Sequence, residues 1–529
     1  MLLIKNANVI TLSPTRPRAE AILIEDGRIK AVGSMAEVSL LAPKSAELLD
    51  LQGKTVLPGF TECHMHPILY AFFLLNLDLN GMRSMQELLG CMRSKAAEAA
   101  PDQWLMGLRF NEEGITEQRL PTMAELDAAA PQHPTLVLRY CGHLAIANSP
   151  ALALAGISHD TPNPHGGEIE RDSSGKLTGV LRETAISLVT DQIPPPDFEA
   201  FMQAGERTFA QLASYGITSV HGILQTSDAG PSGKLGYLEI SALKALHDKI
   251  PQRLNLMIMA TEASQIEELR ASELHDPAPD SMCKVGPWKI ICDGSLGGHS
   301  AVMFKPYSDA PNMTGIKLWT DDELERMIRE AHFKGMQLAV HCIGDRMLHI
   351  VLEILAKAIA DSPPRDHRHR IEHASVAPPE LVRRAKELGL IMSVQPPFIY
   401  SERSWVHKRL GERISSLYPF HSFLEEGLTM CGGSDAPVES AEPLLGIYSA
   451  VNRLGVAPEQ AISIEDAIRM YTTHAAYAAF EESVKGTIET GKLADLVVLS
   501  GDPLSTPPER LRDLSVEMTL VGGKVIFSR

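Results

Sequence analysis

Close cysteine pairs and long apolar runs are both missing from this 529-residue sequence. The seven cysteines are scattered without a C-x-x-C pair, which argues against a disulfide framework and against a cysteine zinc knuckle. No apolar run approaches the ~20 residues that span a bilayer. The N-terminal MLLIKNANVITL lacks the apolar core and cleavage site of a signal peptide. We therefore expect a protein of the reducing cytoplasm with no membrane partner.

An excess of positive charge is also missing. Lys and Arg number 49 against 66 Asp and Glu, so the formal net charge is −17. Binding to nucleic acid phosphates needs clustered Lys and Arg, and we therefore expect no nucleic acid partner. The contents of 44% hydrophobic and 22% charged residues are close to those of soluble globular domains, which argues against disorder.

Short apolar runs alternate with helical patterns through the middle of the chain. LERMIREAHFKG, LHIVLEILAKAIA and PELVRRAKELG have the apolar spacing of helices. Near-continuous apolar strands between helices indicate a parallel sheet buried on both faces. With the strand that ends near His64, there are eight candidates, which predict an α/β fold of the (β/α)₈ TIM-barrel type. The other seven are GITSVHG, RLNLMIMA, WKIICDG, QLAVHCIGD, HRIEHAS, LIMSVQP and LTMCGGSDAP.

Two β-rich ends flank the predicted barrel. Both contain short strands and tight turns, and half-sheets that are unstable alone can be stable when paired. We predict one composite β-sandwich domain from residues 1–56 plus 482–529, and a TIM barrel from residues 57–481. Residues at about 68–200 break the alternation and contain a candidate hairpin, GGEIERDSSGKLTGVL. We interpret them as an insertion after barrel strand 1, over the mouth where barrel active sites lie.

The stretch LPGFTECHMHP carries His64 and His66 at the end of the first predicted strand. Residues i and i+2 of a strand point to the same face, roughly 7 Å apart along the chain. Both imidazoles can therefore approach one metal ion. An isolated H-x-H pair is a weak signal, because surface or hydrogen-bonded histidines are common.

Other predicted strands also end in side chains that can bind metals. His341, His373 and Asp435 stand at the ends of three of them. Such side chains converge on one mouth of a barrel, and imidazoles and carboxylates bind Zn²⁺ and similar ions. Lys289 lies in the otherwise apolar WKIICDG, where a buried amine is costly unless it is neutralised or paired. The residues alone leave open an ion pair between Lys289 and Asp293.

Taken together, these features resemble the amidohydrolase superfamily of metal-dependent hydrolases over essentially the whole chain. Several segments more narrowly resemble the branch that contains N-substituted formamide deformylase. The resemblance implies a hydrolase with a divalent metal, expected as a pair of Zn²⁺ ions, with Mn²⁺ or Fe²⁺ as alternatives. It is poorly specific for the substrate. The segments are KIICDGSLGGHSA, AVHCIGDR, RIEHAS, SVQPPF, GGSDAPVESAEPLLGIYSAVNR and GTIETGKLADLVVL.

The resemblance also implies a role for each ligand candidate. The histidines of the first strand would bind the more buried metal, and those of the fifth and sixth strands would hold the second. Lys289 would be carboxylated by CO₂ and would bridge the metals. Asp435 would ligate a metal and act as the catalytic proton shuttle. The implied metal ligands are His64, His66, Lys289, His341, His373 and Asp435.

Four residues are candidates for substrate binding. His143 lies in the insertion and could reach the mouth, with a packing role as the alternative. Gln395 and His221 end predicted strands. His299 stands where relatives usually carry Arg, so the relatives' substrate contacts at this position do not transfer directly. Glu62 stands where relatives usually carry Asp. Glu62 can still orient a metal ligand.

The expected reaction is hydrolysis of a C–N bond in an amide or formamide. A metal lowers the pKa of bound water towards ~7, so that hydroxide can attack the carbonyl. Asp435 would accept the water proton and pass it to the leaving nitrogen. The expected partner is a small amide-type substrate, and the oligomeric state is open, with a homodimer as the prior expectation.

Three other functions stay open. One is an aminohydrolase, or deaminase, that acts on a ring C=N. Such relatives usually carry Glu close to the position of Asp345. Another is a lactonase or other esterase with the same metals. A non-catalytic binding protein on the same barrel is the third, because a fold does not guarantee chemistry.

Overall fold

Eight parallel strands form the central sheet of the computed structural model, which describes residues 1–140, 142–228 and 230–529. Each strand pairs with the next one along the chain. The first and last strands meet through main-chain hydrogen bonds, from Asp435 N–H to His64 O at 2.6 Å and from His66 N–H to Ala436 O at 2.8 Å. The predicted TIM barrel is therefore confirmed. Its strands are Phe60–Met65, Ile217–Gln225, Arg253–Met259, Cys283–Ile291, Leu338–Cys342, Arg370–His373, Ile391–Val394 and Thr429–Gly432.

Helices cover the outside of the barrel and bury its strands. Every residue of Ile217–Gln225 and Arg253–Met259 is buried, as expected for parallel strands with both faces covered. The helix Asp321–Phe333 begins at a capping box formed by Thr320 and Glu323. The helices of this part of the chain are Pro67–Phe73, Phe198–Ser214, Gly236–Leu246, Ala263–Arg270, Asp321–Phe333, Asp345–Ala360, Pro379–Glu387, Pro397–Glu402, Val406–Leu410, Phe420–Glu425, Pro443–Asn452, Ile464–Met470 and Thr473–Ala478.

Two further sheets lie at the chain ends. A six-stranded sheet joins Lys524–Ser528, Val516–Val521 and Leu496–Leu499 to Thr55–Pro58, Asn8–Ile10 and Arg18–Ala19, and so combines both ends. A four-stranded sheet contains Arg28–Gly33, Ala21–Glu25, Leu2–Lys5 and Glu47–Asp50, with the helix Met35–Ser39 beside it. One hydrophobic cluster includes residues of both sheets. The division into a sandwich domain at residues 56 and 482 stays a prediction.

The segment after the first barrel strand forms its own mixed sheet. Its six strands lie in the order Gly167–Arg171, Leu177–Glu183, Leu144–Ala147, Thr135–Arg139, Leu105–Phe110 and Leu77–Asp78. The first two strands pair in antiparallel fashion and form the hairpin that the sequence predicts. The helices of this segment are Met85–Glu98, Met123–Ala129, Ser149–Leu154 and Ala185–Thr190. Across the described ranges, no helix has the length and apolar character to cross a bilayer.

Candidate metal centre and catalytic cavity

Three side chains from distant parts of the chain meet at the mouth of the barrel. His64, His373 and Asp435 are buried, and each offers one nitrogen or oxygen atom within 4.8 Å of the others. Nε2 of His64 lies 3.4 Å from Oδ1 of Asp435. The barrel brings these residues together because each stands at the C-terminal end of its strand or just beyond it.

The other predicted ligands surround the same point. Nε2 of His66 lies 3.3 Å from Oδ1 of Asp435, and Nζ of Lys289 lies 3.4 Å from Nε2 of His64. The rings of His341 and His373 are in contact, with centroids 4.3 Å apart. The structure therefore gathers all six predicted ligand side chains in one cluster. Their assignment to particular metals stays a prediction.

The cluster fits a divalent metal in spacing and in chemistry. Atoms held at Zn–N and Zn–O distances of ~2.0–2.1 Å in a tetrahedron lie about 3.3 Å apart, close to the separations around His64 and Asp435. Nε2 of His373 is buried, and within the described ranges it has no hydrogen-bond partner. A buried ring nitrogen without a partner is costly in a protein interior, and a metal would satisfy it.

The environment sets the protonation states that metal binding needs. Burial lowers the pKa of His341 and His373 well below the ordinary value, so both rings are neutral. Burial also lowers the pKa of Lys289 to about 8. Burial alone would raise the pKa of Asp435, but His64 and His66 hold it well below its usual value. Neutral imidazoles and an ionised carboxylate are the forms that bind metals.

A buried ion pair between Glu372 and Arg370 orients the ring of His64. Oε2 of Glu372 lies 2.6 Å from Nδ1 of His64, and Oε1 accepts a hydrogen bond of 2.7 Å from Nε of Arg370. Arg370 also donates to the carbonyl oxygen of Cys63 at 2.8 Å and to Oγ of Ser393 at 2.9 Å. No sequence motif pointed to Glu372 or Arg370. Two charged residues at i and i+2 of the buried strand Arg370–His373 were the available signal.

The buried carboxyl group of Glu62 fixes two main-chain segments beside the cluster. Oε1 of Glu62 accepts hydrogen bonds from the N–H groups of His64 at 2.8 Å and Ser434 at 2.9 Å. A Cβ atom at Gly433 would lie 2.6 Å from that oxygen, which explains one glycine of GGSDAP. Glu62 therefore holds the first and last strand ends together, and burial raises its pKa to about 8.

Asp293 does not pair with Lys289 in the described structure. Its two oxygens accept hydrogen bonds from the N–H groups of Val302, Ile343 and Gly344 at 2.8–3.1 Å. Burial raises the pKa of Asp293 to about 7. The ion pair that the sequence left open is therefore replaced by a loop-fixing role.

A cavity of about 420 Å³ opens on the cluster. The six ligand candidates line its floor, and the insertion supplies part of its wall, including Leu136, Leu138 and Ile186. Most other lining residues are apolar, among them Phe72, Phe73, Met259 and Trp319. A mainly apolar cavity with a few convergent polar groups is typical of small-molecule sites.

The four substrate-binding candidates fall into two groups. His143 lines the cavity, and its ring centroid lies 6.0 Å from that of His341. The other three are absent from the described cavity lining. Nε2 of Gln395 donates to Ser393 O at 3.2 Å, and Nε2 of His299 lies 3.1 Å from Oδ1 of Asp309.

His221 is fully buried in the barrel. Its Nδ1 lies 3.1 Å from Nη1 of Arg370, the residue that supports Glu372. Asp345, at the start of the helix Asp345–Ala360, accepts hydrogen bonds from the N–H groups of Phe304 and Arg346. Neither residue belongs to the described cavity lining, and His221 contacts the site through Arg370.

Comparison with known proteins identifies the family of this fold and site. The profile described as "Amidohydrolase family" matches residues 47–527, which is nearly the whole chain. The chain belongs to the amidohydrolase family. Members of this family in the comparisons below carry names of hydrolases, and the site chemistry agrees with them.

Three relatives illustrate the similarity. YtcJ of Bacillus subtilis (strain 168), whose name carries the word amidohydrolase, is 32% identical over 98% of this chain and 98% of its own. N-substituted formamide deformylase of Arthrobacter pascens is 31% identical over 100% of this chain and 98% of its own. The crystal structure of a metal-dependent hydrolase from Pyrococcus horikoshii OT3, described as uncharacterized, is 25% identical, with a TM-score of 0.74 over 96% and 98% of the two chains.

The family and the site together define the class of the enzyme. It is a metal-dependent hydrolase of the amidohydrolase family, and it uses a divalent metal. The resemblance to the amidohydrolase superfamily is confirmed.

Proposed function

We propose that this enzyme hydrolyses the C–N bond of a small amide or formamide. The observation that carries the proposal is the position of Asp435, whose Oδ1 lies 3.3–3.4 Å from the Nε2 atoms of both first-strand histidines and faces the cavity. The similarity to N-substituted formamide deformylase, at 31% identity over the whole chain, supports the choice of bond.

The metal ligands, Asp435 and His143 have different roles in the proposed reaction. A divalent metal bound by the cluster supplies Lewis acidity and lowers the pKa of water towards neutrality. Asp435 accepts the proton of the attacking water and delivers it to the leaving nitrogen, because its carboxylate lies beside the metal ligands and opens to the cavity. His143 contacts the substrate from the insertion.

Lys289, once carboxylated, would supply an anionic ligand for a pair of divalent ions held by the cluster. The pKa of this amine is lowered to about 8, so that a neutral amine forms more readily than in water. A neutral amine adds to CO₂ and releases one proton, which gives a carbamate. That group would replace a buried cation by an anionic metal ligand, and the position of Nζ at 3.4 Å from Nε2 of His64 supports this role.

A hydrolysis screen tests the proposal. Metal-free protein is reloaded with Zn²⁺ or Mn²⁺ and incubated with N-formyl amines, N-acyl amines, cyclic amides and matched esters. The released amine, the ring-opened amino acid or, from the esters, the alcohol is quantified. We expect amine release by the metal-loaded protein and none by the chelator-treated protein. Ester hydrolysis without amide hydrolysis would indicate an esterase. Ammonia release from ring substrates with one metal ion per chain would indicate a deaminase.

A further inference from the structure

A second cavity, of about 380 Å³, lies at the opposite end of the barrel from the metal cluster, and we call it the basal cavity. Its lining includes Asn255, Lys284 and Gln337, which stand at or just before the starts of the third, fourth and fifth barrel strands. The metal ligands stand towards the carboxyl ends of their strands. The two cavities are therefore separate, and they share no described lining residue.

Positive charge dominates the lining of the basal cavity, although the whole chain carries a formal net charge of −17. The charged lining residues are Arg270, Lys284, Arg365 and Asp366. Nζ of Lys284 lies 2.6 Å from Oε1 of Glu481, and Oδ2 of Asp366 lies 2.9 Å from Nε of Arg368. Arg270 and Arg365 form no ion pair with any residue that the structure describes. The cavity therefore contains two guanidinium groups without a neighbouring counter-charge.

Main-chain carbonyl groups hold these two arginines in place. Nη2 of Arg270 donates to the carbonyl oxygen of Gly286 at 2.9 Å. Nη1 and Nη2 of Arg365 donate to Gly335 O at 3.2 Å and to His332 O at 2.9 Å. Carbonyl groups carry no net charge, and partial burial lowers the pKa of both guanidinium groups. A guanidinium has five N–H donors, so an anion in the cavity can pair those that the carbonyl groups leave.

The side chain of Asn255 is buried in the cavity wall. Asn255 is 4% exposed, and in the part of the chain that the structure describes its Oδ1 accepts no hydrogen bond. A Cβ atom at Gly286 would lie 2.0 Å from this oxygen, so glycine leaves the room that the amide occupies. Asn255 and Arg270 therefore both contact Gly286, one at its Cα and the other at its carbonyl group. A buried acceptor without a partner is costly, and a donor on a bound molecule would pair it.

An exposed aromatic ring completes the lining. Phe480 is 43% exposed, and Cζ of Arg368 lies 4.3 Å from the centroid of its ring. Phe480 has φ +60°, a left-handed conformation that is unfavourable for a residue with a Cβ atom. Strained residues of this kind persist where the surrounding structure fixes them, and they cluster at functional sites. The ring is therefore held at the cavity, where it can pack against a flat organic group.

We propose that the basal cavity binds a small organic anion. Arg270 and Arg365 hold its carboxylate or phosphate group. Asn255 accepts a hydrogen bond from a hydroxyl or N–H group of the ligand, and Phe480 packs against its ring. The volume of about 380 Å³ is in the range of small-molecule sites and is larger than a lone inorganic ion requires. This site is independent of the proposed hydrolysis, because none of its residues lines the catalytic cavity.

Isothermal titration calorimetry of the metal-loaded protein tests the proposal with matched probes. The probes 4-hydroxybenzoate and 4-hydroxyphenyl phosphate carry a ring, a hydroxyl donor and an anionic group, which is a carboxylate in one and a phosphate in the other. Benzoate and phenyl phosphate lack the donor, and phenol lacks the anionic group. We expect at least one hydroxylated anion to bind, its analogue without the hydroxyl group to bind ~10-fold more weakly, and phenol not to bind. Binding of phenol as tight as that of the anions, or no binding of either hydroxylated anion, would overturn the inference.

Two variants separate the basal cavity from the metal cluster, because an open metal site also binds anions. Arg270→Gln removes one positive charge, and Asn255→Leu replaces the amide with an apolar side chain of similar size. We expect each variant to bind the tighter hydroxylated anion ~10-fold or more weakly than the wild type does. Lys334→Gln is the matched control, because Lys334 is next to the lining residue Gly335 but pairs with Glu267 at 2.8 Å outside the lining. Wild-type affinity in both variants would place the anion elsewhere and overturn the inference.

Hydrogen–deuterium exchange of the wild-type protein locates the bound probe without any substitution. We expect the tighter hydroxylated anion to slow amide exchange at residues 284–286, 335–337 and 365–367, which line the basal cavity or lie next to its lining. Protection that is confined to residues 64–66 and 433–436 would place the anion at the metal cluster. That result would overturn the inference.

Discussion

Nδ1 of His64 lies 2.6 Å from Oε2 of Glu372, and this contact joins the first and sixth strands of the barrel inside its core. The ionised carboxylate can only accept hydrogen bonds, so Nδ1–H of His64 donates to it and Nε2 faces Asp435 and Lys289, each 3.4 Å away. Arg370 balances the charge of Glu372 at 2.7 Å, and it holds the pKa of that carboxyl well below its usual value despite burial. The tautomer of His64 is therefore set by residues that line no part of the cavity.

Replacing Glu372 with Gln should weaken metal binding. The variant keeps the size of the side chain but loses the charge that fixes the His64 tautomer and pairs with Arg370. Residues that orient a metal-ligating histidine typically contribute 10–100-fold to metal affinity, and we expect a loss in that range. Competition with a chromophoric chelator measures it. The buried Arg370 also loses its partner, which costs about 3–5 kcal/mol of stability.

Glu353→Gln is the control for this variant. Glu353 pairs with Arg384 at 3.3 Å on the surface, where an ion pair contributes little. The metal affinity of the Glu353→Gln variant should equal that of the wild type. Wild-type metal affinity in a folded Glu372→Gln protein would show that Glu372 only stabilises the barrel.

Much of this arrangement could be predicted from local sequence patterns. The strand ends that carry His64, His341 and His373 follow from apolar runs between helices, and barrel geometry alone brings such ends together. The hairpin of the insertion follows from two short polar-alternating runs around a Ser-Gly turn. These features depend on residues that are close together in the sequence, and local patterns are therefore enough to predict them.

The supporting contacts could not be predicted, because they join residues that are distant in sequence. Glu372 is separated from His64 by 308 positions. Side-chain direction at a strand end is also set by tertiary contacts. Gln395 follows the strand Ile391–Val394, yet its amide turns back to Ser393 instead of entering the cavity.

Asp435→Asn should abolish turnover while leaving the metals largely bound. The amide keeps an oxygen near the Nε2 atoms of His64 and His66, but it cannot take up the proton of water at neutral pH. We expect kcat to fall by ~10²–10⁴-fold, the usual contribution of a general acid–base group. Metal content by atomic emission and amine release are measured on the same sample. Asp361→Asn, which removes a surface partner of Arg329, serves as the control, and an active, metal-loaded Asp435→Asn enzyme would refute the role of Asp435.

Carboxylation of Lys289 should make reconstitution depend on bicarbonate. Metal-free protein that is reloaded with metal in CO₂-depleted buffer should regain activity slowly, and added bicarbonate should accelerate the recovery. With ¹³C-bicarbonate, a carbamate signal should appear by NMR and be absent from Lys289→Met. The same signal should persist in Lys284→Met, because Lys284 lies in the same strand but pairs with Glu481 at 2.6 Å. Recovery of activity that is independent of bicarbonate, together with no carbamate signal, would show that Lys289 is not carboxylated.

Glu239 gives a prediction about pH that is independent of the metal centre. Burial raises its pKa to about 7 from an ordinary value of 4.5, although Ser232 and the N–H of Gln225 hydrogen-bond to it. The folded state therefore holds this proton more tightly than the unfolded chain does. The resulting stabilisation is fully present below pH ~4.5 and is lost as the pH rises through ~7, with a size of about 3 kcal/mol at most.

Glu239→Gln removes this dependence, because the amide keeps the hydrogen bonds but does not ionise. The thermal midpoints of the variant and the wild type should be similar at pH 5, and the variant should unfold at the higher temperature at pH 8. Glu268→Gln, at an exposed position of the helix Ala263–Arg270, should follow the wild type at both pH values. If the difference between Glu239→Gln and the wild type is the same at pH 5 and pH 8, then Glu239 is already ionised in the folded protein at pH 5. Its hydrogen bonds from Ser232 and Gln225 would in that case outweigh its burial.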